Sequence, residues 1–431
     1  MRLRTIVVFW LPLAATWLMM AVEGPYIAAI VARMPYAAAS LAAYGVATAL
    51  AWLVESPIMM LLSAGTALVH GRESYLALRR FTFLLNALVT AGMAILAVPP
   101  VFRFVGETLI GLPPDISHIA WISTAIMIPW PAAIGYRRFY QGVLVRHHLT
   151  RRVAYGTVIR LTTMSITAGV LAFTTPLPGA ALGAIALLSG VIAEAVASRW
   201  MADAIVKALM QQEEVSAGSL LSMREIARFY FPLALTSMLA MALGPLVTFG
   251  LGRGRAPLES LAVWPVVQAA AFIFRSGGMA FQEVGIALSG ADDENAPQVR
   301  RAATLLGVLS SLGLAVVAFT PLEAVWFQRV TGLTPHLASF AIWPIRLLVL
   351  LPALEYMLSF QRSHWIVARR TRVITMATTI EGVGLALALF VTVGPLHMVG
   401  AAGGAVAMLI GRLAANAFLF LRSRSRIESA A

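Results

Sequence analysis

"PLAATWLMMAVEGPYIAAIVAR", residues 12–33, and "PLALTSMLAMALGPLVTFGLGR", residues 232–253, are the same segment written twice. Pro12, Leu13, Ala14 and Thr16 fall on Pro232, Leu233, Ala234 and Thr236. Gly24-Pro25 falls on Gly244-Pro245, and Arg33 on Arg253. The match continues outward at a shift of 220 for about 70 residues without a gap: Ser40-Leu41-Ala42 on Ser260-Leu261-Ala262, Ser56 on Ser276, Arg80 on Arg300. Gln141 then meets Gln361, and Arg152-Val153 meets Arg372-Val373. With one more residue of offset, Gly179-Ala180 and Gly183-Ala184 meet Gly400-Ala401 and Gly404-Ala405. In an Ala/Leu-rich chain some matches come cheaply. The Gly-Pro, Arg and Ser-Leu-Ala matches in one register do not.

Composition says where this repeated unit lives. Of 431 residues, 60% are hydrophobic and 12% charged, half the share of charge that a soluble domain carries. The mean hydropathy is +0.83. Apolar stretches of roughly 20 residues recur throughout, so helices are the spanning element. Twelve are expected, near 5–32, 41–69, 79–100, 119–142, 153–175, 180–206, 226–252, 261–289, 301–320, 338–362, 373–394 and 398–421. The fold class is thus an all-α membrane protein with twelve transmembrane helices in two six-helix lobes. Six is an even number, so both lobes insert with one orientation, a parallel repeat about an axis along the membrane normal. The lobes are expected at 1–206 and 226–431, with a polar linker over 207–225 and a central cleft between them. The first apolar run follows Arg2 and Arg4 as a signal peptide would. Its internal copy at 226–252 argues for a retained helix.

The net charge of +13 sorts by loop. Twenty-three of the 32 basic residues fall at the N-terminus, in alternate loops (Arg137, Arg138 and Arg362 among them) or in the tail. The opposite loops hold Arg33, Arg103, Arg253, Arg255 and Arg329. By the positive-inside rule both termini face the cytoplasm of a cell-membrane protein. This sorting accounts for the basic balance without nucleic acid. There is no cysteine, hence no disulfide and no thiolate site.

Motifs for chemistry are absent. The single lysine, Lys207, is in no Walker loop, and no HExxH, GxSxG or GxGxxG occurs. His147-His148 are adjacent and point apart on a helix, which suits no metal. Asp292-Asp293-Glu294-Asn295 lacks calcium-loop spacing and reads as a solvated loop capping the ninth helix. The Gly179–Gly183 and Gly400–Gly404 pairs read as close helix packing. No catalytic residue, resident cofactor or metal is expected, and nothing points to an enzyme.

What remains is the ionisable set at bilayer depth: Glu23, Glu55, Glu194, Glu283, Glu355 and Glu381, with Arg160, Arg275, Arg346 and Arg412. Each costs roughly 2.5–3.5 kcal/mol on insertion scales, so each should face the bundle interior or water. The 220 shift places Arg275 on Glu55, and one more residue of offset places Glu381 on Arg160. The lobes share a shape and differ in charge. Pro25 lacks an N–H, so the helix should kink beside Glu23 and free a carbonyl there, as helices do next to cavities. The second lobe keeps Gly244-Pro245 but has Leu243 in place of Glu23. Glu23 and Glu55 are the expected ion-coupling residues, for H+ or Na+. Arg275, Arg346, Glu355, Glu381 and Arg160 are the expected substrate contacts. Gly24, Pro25, Gly244 and Pro245 are the expected kinks or gates. Arg412 and Glu194 read as packing within their own lobes.

Several stretches carry a family resemblance: "ASLAAYGVATALAWLVESP" (39–57), "RFYFPLALTSML" (228–239), "PIRLLVLLP" (344–352), "ARRTRVITMATTIEGVGLALALFV" (368–391) and "VGAAGGAVAML" (399–409). With twelve helices in two parallel lobes, the chain resembles the multidrug and toxin extrusion (MATE) fold, within a wider exporter superfamily that includes polysaccharide and lipid flippases. Among its branches it is most similar to the progressive ankylosis (ANK) family. The resemblance implies a monomeric, ion-coupled secondary exporter, an antiporter working by alternating access. For the ANK branch it implies efflux of organic anions such as citrate, nucleotide or pyrophosphate. Arg346 matches a family arginine; Glu381 stands where the ANK pattern has arginine. MATE cation exporters use cavity acids, which Glu23, Glu55, Glu355 and Glu381 would supply. A flippase for a lipid-linked precursor and a non-transporting scaffold are the other readings.

Overall fold

The computed structural model describes residues 2–31, 33–110, 112–212, 222–289 and 295–428. Among them twelve helical spans are long and apolar enough to cross a membrane. These are α1 (Leu3–Val31), α2 (Ala39–Leu68), α3 (Arg72–Leu96), α4 (Pro114–Arg146), α5 (Thr150–Thr174), α6 (Gly179–Met201), α7 (Met223–Leu251), α8 (Pro257–Leu288), α9 (Ala296–Phe319), α10 (Pro335–Val367), α11 (Arg372–Val393) and α12 (Gly400–Ser423). The expected twelve spans are all present. The start of α3 lies at Arg72 rather than 79, since its first turns carry Glu73, Arg79 and Arg80 and read as loop by hydropathy.

The repeat is written into irregular backbone as well as into helices. Tyr36 and Ala256, 220 apart, are both left-handed (φ 54° and 53°) and open α2 and α8. π-helices run over Phe104–Ile110 and Val325–Val330. α4 is interrupted by a turn at 127–129, and α10 by a 3-10 turn at Leu348–Leu350. His148 and Arg369 are again both left-handed (φ 59° and 54°). These later pairs differ by 221. The extra residue has therefore entered before position 104, and the 220 register expected at Gln141 and Arg152 is overturned. Gln141 corresponds to Arg362, and Arg152 to Val373.

Glycines fix how the helices pack, at equivalent places. A Cβ on Gly183 of α6 would press on Ile27 and Tyr44; on Gly404 of α12 it would press on Leu251 and Val247. A Cβ on Gly190 would come 2.8 Å from the carbonyl of Arg160; on Gly411, 2.7 Å from that of Glu381. Small residues let α6 lie on α5, and α12 on α11, at backbone contact. Gly24 and Gly244 differ: nothing lies within 4 Å of where their Cβ would stand. Both α1 and α7 run on as helix through the Gly-Pro pair.

The chain forms two compact bodies. One holds Met19–Ala234; the other holds Met1–Leu18 with Leu235–Ala431. The crossing points lie inside α1 and α7 rather than at the ends of the 207–225 linker. Side-chain anchors hold each exchanged half-helix. Trp10 Nε1 donates to the Gly277 carbonyl at 2.8 Å, in the second body. Tyr230 donates from its hydroxyl to the Pro57 carbonyl at 2.7 Å, in the first. Residues 10 and 230, like 57 and 277, are 220 apart, so one contact is made twice. The second body's core gathers Val247, Leu251, Trp264, Val267, Leu385 and Leu389.

Three basic residues expected on loops lie inside helices instead. Arg137 and Arg138 are buried in α4, at 2% and 6% exposure, and Arg362 is held inside α10. The linker opens on the end of a helix, Asp203–Met210, whose Asp203 bridges Arg199 of α6 and Lys207, each at 2.8 Å. Its residues 213–221, and Asp292, Asp293 and Glu294, lie outside the described residues. Asn295 occupies the N-cap of α9 without a side-chain capping bond.

Candidate functional site

Among the described residues, each body holds a cluster of buried charge. In the second body the cluster is a chain of five residues of alternating sign. Glu355 and Arg362 are seven apart on α10, two turns on one face. Arg275 comes from α8, Glu381 from α11 and Arg412 from α12. Gly411 lets α12 settle on the Glu381 carbonyl, and so brings the next residue, Arg412, against the Glu381 carboxylate. Arg275 donates from Nε and Nη2 to Glu355 Oε2, at 3.1 and 2.7 Å. Arg412 donates from Nη1 to Glu355 Oε1 at 3.3 Å, and its Nε lies 3.1 Å from Glu381 Oε1. Arg362 Nη2 lies 3.7 Å from Glu381 Oε2 and donates to the Thr378 hydroxyl at 2.9 Å. All five line a pocket of about 440 Å³, with Gly244 of α7 also in its wall.

The first body's cluster alternates too, but around an arginine. Arg160 of α5 donates to Glu23 of α1 at 2.5 Å and lies 3.6 Å from Glu194 of α6. Glu194 also accepts from Arg137 at 2.5 Å, from Gln141 at 3.0 Å and from Thr157 at 3.2 Å. Glu55 stands beside this chain and accepts from the indole N–H of Trp130, over whose ring the Arg160 guanidinium lies at 5.7 Å. One oxygen is left over: Glu23 Oε1 is buried without a hydrogen-bond partner.

The expected site residues thus divide. Arg275, Glu355 and Glu381 come together with Arg412. Glu23 and Arg160 come together with Glu194, with Glu55 close by on Trp130. Glu55 and Arg275, which the 220 shift superposes, each have a partner inside their own body. Arg346 stands apart from both clusters: it is 31% exposed, donates to the Ala318 carbonyl at 3.1 Å and to Glu323 at 3.3 Å, and lies over Phe319 and Trp343. Sequence reasoning missed Arg137, Arg362 and Trp130. The signal for Arg362 was present in Glu355, two turns earlier on the same face.

No family model matches the chain, and no curated protein matches it. Solved structures do. A point mutant of the Vibrio cholerae MATE transporter VcmN superposes with a TM-score of 0.78 at 15% identity, over 99% of this chain and 97% of that one. The eukaryotic MATE transporter AtDTX14 gives 0.78 at 14% identity, over 97% and 95%. A MOP superfamily transporter from Pyrococcus furiosus, whose binding pocket is described as of reverse polarity, gives 0.75 at 15% identity, over 99% and 96%. The likeness spans nearly the whole of both chains in each case, and the chain has the twelve-helix fold of the MATE transporters.

Proposed function

We propose that the protein is an ion-coupled secondary transporter, an exporter of a small organic anion working by alternating access of its two lobes. One observation carries the anion reading: the second-body pocket is lined by three arginines and two glutamates within membrane-spanning helices. An uncompensated cation at that depth is costly, and proteins keep such groups where cargo or ions pass. The Pyrococcus furiosus transporter of this fold, described as having a pocket of reverse polarity that suggests a different function, offers a precedent for altered pocket charge on this scaffold. The ANK resemblance, which rests on short motifs alone, points to the same class of cargo.

Coupling falls to the first body. Glu23 has one oxygen on Arg160 and one unpartnered, so it is the group with capacity left to hold a proton or sodium. Glu55 is the second candidate. The Gly24-Pro25 and Gly244-Pro245 pairs serve as the flexible points of α1 and α7. Both termini face the cytoplasm, the protein acts as a monomer, and the cargo is a small molecule. An uptake panel in proteoliposomes, with organic anions and cations under imposed pH and sodium gradients, tests this reading. Anion uptake driven by one of the gradients is the expected result. Cation uptake alone, or uptake indifferent to both gradients, overturns it.

A further inference from the structure

The five-membered chain Arg275, Glu355, Arg412, Glu381, Arg362 ends in an arginine at both ends, so it carries one positive charge more than negative. The ends are not equal. Arg275 is satisfied, with two donors on one carboxylate oxygen. Arg362 is not. Its contact with Glu381, at 3.7 Å, is the longest in the chain, its hydrogen bond goes to the neutral Thr378 hydroxyl rather than to a carboxylate, and its Nε, like that of Arg412, is buried without a hydrogen-bond partner. The surplus charge is therefore located at Arg362. In the other lobe the same position holds the neutral Gln141, which donates to Glu194, so the surplus is a property of this pocket and not of the fold.

Charge balance limits what can bind. In a site of low dielectric, one negative charge brings the cluster to neutrality, whereas a di- or trianion leaves net negative charge buried, which is again unfavourable. The rest of the lining is mostly apolar, with Met241, Leu243, Val247, Trp264 and Met408. The volume of about 440 Å³ lies in the range of small-molecule sites. We propose that this pocket takes an amphipathic monoanion, a single carboxylate on an apolar body, with the carboxylate on Arg362 and the body against Trp264 and the methionines. The proposal rests on the anion-exporter reading and narrows it: multiply charged anions are disfavoured.

Isothermal titration of the purified full-length protein in detergent tests it, with 2-naphthoate as the probe. Saturable binding is expected, at least tenfold tighter than for the neutral 2-naphthamide and at least tenfold tighter than for citrate. Arg362→Gln should weaken 2-naphthoate at least tenfold, and Arg362→Lys should recover most of the loss. The comparison among the three probes uses the wild-type protein, so it stands even where a variant fails to fold. Equal affinity for naphthoate and naphthamide, no binding of naphthoate, or an unchanged Arg362→Gln overturns the proposal. Citrate binding tighter than naphthoate overturns it while leaving the anion-exporter reading in place. Binding of tetraphenylphosphonium with no anion bound overturns both.

Discussion

Glu381 stands in its lobe where Arg160 stands in the other. Each lies on the helix against which a glycine brings the next helix into backbone contact, Gly411 on the Glu381 carbonyl and Gly190 on that of Arg160. The scaffold around them is duplicated and the charge at the centre is reversed. Arg160 sits between two acids, Glu23 and Glu194; Glu381 sits between two arginines, Arg412 and Arg362.

Arg412 is the middle of the second-body chain, and its removal leaves Glu355 and Glu381 facing each other's field with one arginine each. Breaking a buried pair by deleting one partner costs roughly 3–5 kcal/mol. Arg412→Ala should accordingly lower the thermal midpoint in detergent by many degrees, and Arg346→Ala by little, since Arg346 is partly exposed. Thermal unfolding followed by intrinsic fluorescence decides between them. Equal shifts would mean that the chain is not a structural unit.

The glycines split into two kinds, and mutation should separate them. A Cβ on Gly411 would sit 2.7 Å from the Glu381 carbonyl, so Gly411→Ala forces α12 off α11 at a cost of about 1–3 kcal/mol. At Gly24 and Gly244 there is open space for a Cβ. Gly24→Ala and Gly244→Ala should keep the wild-type melting temperature or raise it slightly, because alanine is the better helix former. If these residues are flexible points, the same two variants should slow transport severalfold. Loss of stability without loss of rate would contradict that role.

Glu23 is the expected coupling residue. Glu23→Gln should abolish gradient-driven uptake while leaving exchange of labelled for unlabelled cargo at equilibrium, since exchange needs no coupling ion. Parallel measurement of both modes in one vesicle preparation checks this. Gradient-driven uptake at the wild-type rate in Glu23→Gln would move the coupling site elsewhere.

Just before the linker, Asp203 is held below the usual carboxylate range by hydrogen bonds from Lys207 and Arg199. A carboxyl depressed on folding adds stability that is present above its unfolded pKa and is lost as pH falls through the folded value. The window thus lies below about pH 4, where Asp203 begins to protonate even when unfolded. At pH 7 the triad is charged but exposed, and exposed pairs contribute little. Asp203→Asn should leave the melting temperature at pH 7 almost unchanged.

Much of the fold was legible in the chain, and the site only in part. The spans follow from hydropathy, and the two lobes from Gly-Pro, Arg and Ser-Leu-Ala matches in one register. The single inserted residue shows in the chain at Gly179/Gly400, but its place before position 104 does not, because Gln141/Gln361 and Arg152/Arg372 happen to match at the older offset. Arg137, Arg138 and Arg362 lie in basic stretches near helix ends, where charge reads as loop. The burial of Arg137 and Arg362 depends on acids from other helices, Glu194 and Glu381, and that pairing is tertiary. Similarly, Glu55 on Trp130 joins residues 75 apart with no signal in spacing.

Initial uptake rates for an organic monoanion and a size-matched organic cation, measured in the same proteoliposomes under the same imposed gradient, test the central claim most directly. The account predicts gradient-driven uptake of the anion, lost in Arg362→Gln and in Glu23→Gln. Uptake of the cation alone, or wild-type anion uptake in either variant, would contradict it.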